Sequence, residues 1–238
     1  SAGLRYRGTD LDGRVFLNFG GLPGPLIGHS LQRSSSIEAY GEVRAEVLPR
    51  LEAIAGAVFV RTVRDYDDLL NDAEDDRLAF SKLSPRFGLL WRANNELQLF
   101  ANASASFEAP TFLDLTQAGV AGFTPIEAQE GFSYEFGGRG RVGRLSFEAA
   151  YYRARLKGEF VAFTVTPGLP APIFNADRTV HQGVELHGRM TLVDNWNGLS
   201  VIPRVAYAWN DFRFVSDAAY GDNRLAGLPA HIGRAEIG

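Results

Sequence analysis

The 238-residue sequence contains no cysteine, which excludes disulfide frameworks, thiolate nucleophiles, Cys-ligated zinc and iron–sulfur clusters. Long apolar runs are missing as well: the longest stretch of small and apolar residues, Ala53 to Val60, is far short of the ~20 needed for a transmembrane helix. The opening Ser1-Ala2-Gly3 lacks the charged segment and apolar core of a secretory signal. Positive charge is not in surplus, since 24 Lys+Arg against 28 Asp+Glu leave a net charge of −4, so nucleic acid is not an expected partner. No phosphate-cradling loop is apparent, nor any nucleophile–base–acid grouping with a local signature, so neither an enzyme nor a bound cofactor is expected. Helix-favouring content is thin, with a single methionine and few runs of Ala, Leu, Glu and Lys.

What is present points to strands. A chain that is 45% apolar and 22% charged folds, and its 26 glycines and 12% aromatics lean towards an all-β protein. From Glu96 to Glu108 the odd positions read Leu97, Leu99, Ala101, Ala103, Ala105 and Phe107. The even ones read Glu96, Gln98, Asn102, Ser104, Ser106 and Glu108, with only Phe100 out of phase. This is the period of two that gives a strand one oily and one wet face. The alternation returns around Ile37–Val47, Phe132–Val142, Val180–Leu192 and Leu199–Trp209. Strands are expected at about 35–47, 51–63, 80–92, 96–108, 130–142, 145–157, 178–193 and 198–213. Soluble sheets favour strands of about five or six residues, whereas membrane-crossing strands need ~9–11.

The expected links alternate. Leu48–Arg50, Ala93–Asn95, Gly143–Arg144 and Asp194–Asn197 are short, whereas roughly 64–79, 109–129, 158–177 and 214–230 are long. Up-and-down outer-membrane barrels combine short periplasmic turns with long extracellular loops in this way, and Greek-key sandwiches do not require it. Phe107, Phe112, Tyr151, Tyr152, Tyr207, Trp209 and Phe212 lie at strand ends beside the long links, as an aromatic girdle at lipid headgroups would. The expected fold class is therefore an all-β, transmembrane, antiparallel up-and-down barrel in a lipid bilayer. Two local expectations follow. Leu97, Leu99, Ala101, Ala103 and Ala105 should face outward, with Gln98, Asn102, Ser104 and Ser106 inward, because a one-residue slip reverses every side chain. Gly143-Arg144 should form a type II′ turn with positive φ at Gly143. That turn would pair Val142 with Leu145, Phe136 with Tyr151, and Arg139 with Glu148 as an opposite-charge pair.

The stretch Ser84-Pro85-Arg86-Phe87-Gly88-Leu89, then Leu99-Phe100-Ala101-Asn102-Ala103-Ser104, then Phe107-Glu108-Ala109-Pro110-Thr111-Phe112-Leu113-Asp114-Leu115, resembles the mid-barrel block of TonB-dependent outer-membrane receptors. Ser133-Tyr134-Glu135-Phe136-Gly137 and Gln182-Gly183-Val184-Glu185-Leu186 resemble two later strands of that family, in its order. The resemblance covers about residues 80 to 215, and residues 1 to 35 match no recognised pattern. It implies a location in the Gram-negative outer membrane and a barrel of 22 strands closed around a plug. It also implies energised uptake of a scarce ligand such as a ferric siderophore, driven by the inner-membrane TonB complex through that plug. The sequence departs from the family in showing no plug before residue 35, no coupling box near its start, and no terminal aromatic at Gly238. Residues 1–238 are accordingly expected to be part of one barrel domain, about nine or ten strands of it, unable to close alone. Two alternatives stay open: a passive or adhesive outer-membrane barrel, and a soluble carbohydrate-binding β-sandwich.

Candidate sites are few. His181, Glu185 and His187 share one face of a strand, yet at ~3.3 Å per residue the two histidines stand roughly 20 Å apart, so no metal site is expected and they read as lumen-lining residues. Asp65, Asp67, Asp68, Asp72, Glu74, Asp75 and Asp76 lack the glycine and terminal glutamate of a calcium loop and read as a solvated acidic loop. Ferric chelates, often anionic, would meet Arg, His and aromatic side chains near the loop mouths, which selects Arg178, His181, Tyr220 and Arg224.

Overall fold

The structure is a computed structural model that describes residues 1–71, 76–116, 124–162, 171 and 173–238. Its strands are β1 (Ala2–Phe19), β2 (Leu22–Leu48), β3 (Leu51–Asp68), β4 (Asp76–Arg92), β5 (Leu97–Glu108), β6 (Gln129–Val142), β7 (Leu145–Ala162), β8 (Ile173–Met190), β9 (Val193–Trp196), β10 (Leu199–Val201), β11 (Pro203–Phe214) and β12 (His231–Ile237). One short helix, α1 (Phe112–Thr116), lies between β5 and β6. Ten strands form a single antiparallel sheet in the order β1-β2-β3-β4-β5-β6-β7-β8-β11-β12, each beside its neighbour in sequence, with β9 and β10 forming a separate hairpin. The sheet is open: β1 and β12 each pair on one side only. No described helix is long and apolar enough to cross a membrane, so any crossing is by strands.

The expected register holds where it was sharpest. Leu99 lies beside Trp91 and Gly138, Ala101 beside Leu89 and Phe136, and Ala103 beside Phe87 and Tyr134, so the odd residues of β5 join a continuous apolar face. Among the described residues nothing packs on that face, since Phe87 is 60% exposed and Phe136 54%. The opposite face carries Gln98 bonded to Arg139 (3.0 Å) and Ser104 bonded to Ser133 (3.0 Å). On the same face a hollow of about 440 Å³ lies between Glu148, His187, Arg189, Arg204, Arg234 and Glu236, which marks the polar side as the concave one. An exposed oily exterior around a polar concavity is the barrel arrangement and the inverse of a soluble sandwich.

The Gly143 hairpin also forms as expected. Gly143 has φ of +56° while Arg144 is not among the residues of positive φ, as a type II′ turn requires. Val142 pairs with Leu145, Arg139 with Glu148 and Phe136 with Tyr151, and the Phe136 and Tyr151 ring centroids are 5.2 Å apart. The ionic part of the expectation needs correction. Arg139 gives its Nε–H to Gln98 on the other neighbouring strand, because a residue inside a sheet has two flanks to choose from.

Other differences are physical in origin. Residues 1–35 form β1 and the start of β2, joined at Gly20-Gly21, whose positive φ values of +62° and +94° make a tight turn. Leu22–His29 of β2 pair with β1 but stand beyond the last β2–β3 pair, Ser30 with Asp68. Their proline- and glycine-rich sequence, Leu22-Pro23-Gly24-Pro25-Leu26-Ile27-Gly28-His29, hid the strand because it breaks the two-residue alternation, and this hairpin lies beyond the stretch paired with β3. The link 64–79 shrinks as well, since β3 continues to Asp68 and β4 begins at Asp76. Asp72, Glu74 and Asp75 of the acidic run lie outside the described residues. The short link at Asp194–Asn197 is instead the β9–β10 hairpin, which turns through Asn197 and Gly198 with φ of +50° and +82°.

Candidate functional site

The mouth of the sheet, at the end of the longer links, is where folded loop meets inner wall. Fully buried side chains are concentrated there rather than along the strands. Val161, Ala176, Phe214 and Leu225 form the core cluster, with Phe174, Phe212 and Tyr220 packed against it. This core exists because the chain after β11 doubles back. Leu225 N–H donates to the Phe212 carbonyl and Phe214 N–H to the Asn223 carbonyl, so residues 223–225 extend the sheet edge. The alternation of that short strand sends Leu225 inward and Arg224 outward.

His181 lies on the inner face of this mouth. Its ring stacks on Phe212 at 4.4 Å with the planes 16° apart, and its Nε2 is 3.0 Å from Glu159 Oε2. Thr179 donates its hydroxyl to the same carboxylate oxygen. Phe212 in turn meets Tyr152 edge-on at 6.4 Å. Tyr152 and Phe212 therefore point into the lumen and not, as expected, to a lipid girdle. Gly183 makes room for this: a Cβ there would come within 2.5 Å of the Tyr152 hydroxyl. The Tyr152 ring crosses that gap to donate its O–H to Asn210 Oδ1 at 2.7 Å. Tyr220 closes the other side, stacking on Phe214 at 4.8 Å and on Phe174 at 5.8 Å.

Tyr220 is held by its own turn. Asp217 Oδ1 accepts the backbone N–H groups of Ala219 (2.9 Å) and Tyr220 (3.0 Å), and Oδ2 accepts that of Asp177 (3.2 Å). Partial burial alone would raise the Asp217 pKa, but the three N–H donors outweigh it and hold the carboxyl below its usual range.

The four residues selected from the sequence are thus divided. His181, stacked on Phe212, and Tyr220, stacked on Phe214 and Phe174, belong to one aromatic cluster at the mouth without touching each other. Arg178 and Arg224 lie on the opposite face, Arg178 because even and odd residues of β8 alternate, and Arg224 through its Nη2 contact with Asp211 Oδ1 at 3.3 Å. Sequence reasoning missed Glu159, Phe212 and Tyr152 as inner-wall residues. Phe212 was legible by parity with Asn210, whereas Glu159 was not, because Gly158 with φ of +67° interrupts the alternation.

A second inward structure is α1. Thr111 and Asp114 cap it reciprocally: Thr111 N–H and Oγ1–H donate to Asp114 Oδ2 (2.6 and 2.7 Å), and Asp114 N–H donates to Thr111 Oγ1 (3.3 Å). Arg64 of β3 reaches up to donate to the Pro110 carbonyl (3.1 Å) and to Ser34 Oγ (2.7 Å), with its guanidinium 5.8 Å from the Phe112 ring centre. Leu115 is fully buried as a result. Phe112 belongs to this fold-back and not to a girdle.

These features define a class of protein, and comparison with known proteins gives it a family. The family profile described as "TonB dependent receptor-like, beta-barrel" matches residues 1–238, so the chain belongs to the TonB-dependent receptor family, whose members are receptors and transporters of the Gram-negative outer membrane. Among curated proteins, the metal-pseudopaline receptor CntO of Pseudomonas aeruginosa is 31% identical over 153 residues, which are 63% of this chain and 20% of that protein. Among solved structures, the ferric citrate transporter FecA superposes with a TM-score of 0.78 at 17% identity over 99% of this chain and 36% of that one. The copper transporter OprC superposes with a TM-score of 0.79 at 16% identity, over 99% and 38%. The chain spans about a fifth of the curated relative it matches. Receptors of this family bind small ligands such as siderophores and metals, and interaction with TonB is general among them.

Proposed function

We propose that this chain forms part of the wall and mouth of a receptor for energised uptake of a metal chelate, a ferric siderophore or a related metallophore, powered by the TonB complex through a plug domain. One observation carries the reading. An imidazole held by Glu159 and stacked on Phe212 faces the lumen beside the ring stack of Tyr220, Phe214 and Phe174. Flat aromatic surface with one polar tip is what a small metal complex wrapped in organic ligand meets well, since the rings cover its apolar rim and the imidazole meets its donor atoms. Resemblance to a metal-pseudopaline receptor supports the same substrate class. The ligand contacts assigned here are His181 and Tyr220, with Arg178 and Arg224 left to the outer rim.

The test is uptake by the whole receptor in an outer-membrane strain lacking its own iron receptors. Radiolabelled metal is supplied on a panel of chelates, with and without a protonophore. His181→Ala and Tyr220→Ala should each raise half-saturation about tenfold, equivalent to ~1.4 kcal/mol of lost contact, while maximal uptake is kept. The protonophore should abolish accumulation. Accumulation that ignores the protonophore would establish a passive barrel instead, and half-saturation unmoved by both substitutions would remove the mouth cluster from the site.

A further inference from the structure

His181 of β8 is held more firmly than a chance wall residue would be. Its ring lies against Phe212 at 4.4 Å with the planes 16° apart, and Phe212 is met edge-on by Tyr152, itself anchored on Asn210 at 2.7 Å. The tip of the ring, Nε2, is 3.0 Å from Glu159 Oε2, an oxygen that also accepts the Thr179 hydroxyl. A carboxylate oxygen placed in this way is an acceptor, so Nε2 carries the proton and donates it. In the neutral ring that leaves Nδ1 with a free lone pair, because the bond made by one ring nitrogen fixes the state of the other. Nδ1 makes no hydrogen bond among the described residues, yet it is not a buried atom left unsatisfied. Its lone pair is therefore open to the lumen that this face of β8 lines.

A carboxylate on one ring nitrogen and an open lone pair on the other is the arrangement that readies a histidine for a metal. The carboxylate fixes the tautomer, orients the ring and raises the basicity of the coordinating atom. One histidine cannot hold an ion by itself. Among the described residues no three His, Asp or Glu side chains are grouped to bind one, and the chain has no cysteine. Within this wall, a metal that meets Nδ1 must therefore arrive already chelated. The stack of Tyr220, Phe214 and Phe174 in the same cluster gives the organic part of such a complex a flat surface to rest on.

We propose that His181 Nδ1 coordinates the metal of the incoming complex directly, so that the mouth selects chelates whose metal keeps an exchangeable position. This rests on the uptake of a metal chelate proposed above and carries the contact from the chelate's surface to its metal. The step is a ligand exchange. The Nδ1 lone pair forms the metal–nitrogen bond, a metal-bound water leaves, and the Nε2 proton stays on its bond to Glu159, with no change of oxidation state. Imidazole suits copper, nickel and zinc, and copper(II) binds such donors most tightly among the divalent first-row ions. A ferric ion already wrapped in six donor atoms offers the ring no place.

The experiment uses the whole receptor, purified in mild detergent, and two complexes of one metal. Copper(II)–nitrilotriacetate leaves a position free to exchange, whereas copper(II)–EDTA does not. The first should bind about tenfold more tightly or better, and its pulsed electron paramagnetic resonance should show the modulation of a remote imidazole nitrogen. His181→Ala should remove both the modulation and the preference between the complexes. Glu159→Gln should keep the modulation and weaken binding about tenfold, the scale of a lost outer-shell partner. His187→Ala, further down the same face of β8, should change neither. Equal binding of the two complexes by the unaltered receptor overturns direct coordination without reference to any variant, and so does modulation that survives His181→Ala. If equal binding nonetheless falls in His181→Ala, the histidine touches only the chelate's surface, and the function proposed above stands without the coordination. If binding of neither complex responds to that substitution, His181 is removed from both readings.

Discussion

At the scale of single residues, backbone conformation and close approach decide more than contact energy does. A Cβ at Gly143 would meet nothing within 4 Å, so the whole cost of replacing it is backbone strain at φ of +56°. Gly143→Ala and Gly143→Val should therefore both destabilise, by about 1–3 kcal/mol, in denaturant unfolding of the whole receptor in lipid vesicles. A loss confined to Val would show that side-chain bulk is the cause instead. Gly183 is the opposite case, because there the Trp209 backbone carbonyl and the Tyr152 ring occupy the space. Gly183→Val should therefore strain the β8–β11 pairing at Trp209 as well as displace that ring from Asn210, which lower stability, tyrosine fluorescence and loss of ligand binding would report. Gly143 was legible from the sequence because two alternating strands flank a two-residue link. Gly183 was not, since nothing local shows that a ring two strands from its hydrogen-bond partner must pass over it.

At the scale of elements, two fold-backs shape the mouth, and both are held by carboxylates acting as acceptors for backbone N–H groups. Loss of the α1 cap in Asp114→Ala should cost about 1 kcal/mol and loosen Arg64 from Pro110, measurable as faster amide exchange at Asp114 and Leu115. The Asp217 turn predicts a pH dependence. Its folded pKa is depressed, so its contribution is fully present above the unfolded aspartate value and is lost as pH falls through the lower folded value. Exchange at Ala219 and Tyr220 should stay slow at neutral pH and accelerate only below the ordinary aspartate range. Asp217→Asn should remove that step. Neither fold-back was visible in periodicity, because a capped turn and a doubled-back segment have no repeat. The Pro110-Thr111-Phe112-Leu113-Asp114 string was recognisable only by resemblance, and its physical content is a capping box.

At the scale of the whole molecule, the strand order, alternation of faces and antiparallel neighbour pairing were all legible, because a sheet with lipid on one side and a polar concavity on the other must alternate along its lipid-crossing lengths. Boundaries were not, since strands that continue above the lipid need no oily face. The open sheet leaves β1 and β12 with free backbone groups along one flank each. In a bilayer such groups have no water to satisfy them. The isolated 238-residue span should therefore associate or aggregate in detergent and lack a cooperative unfolding transition. A soluble monomer that unfolds cooperatively would contradict the lipid-facing assignment.

The unbroken pairing from β2 through β8 also constrains how such a wall can vary in length. Every residue of β6 between Gly131 and Gly140 is held by a neighbour on both sides, so a single-residue deletion there would exchange inside for outside over the rest of the strand. Two-residue changes would preserve the faces yet still slide Phe136 past Tyr151. Insertions and deletions should therefore be absorbed almost wholly by the links at the mouth, which makes this architecture one whose frame is fixed in length while its rim is free to lengthen, shorten and diversify.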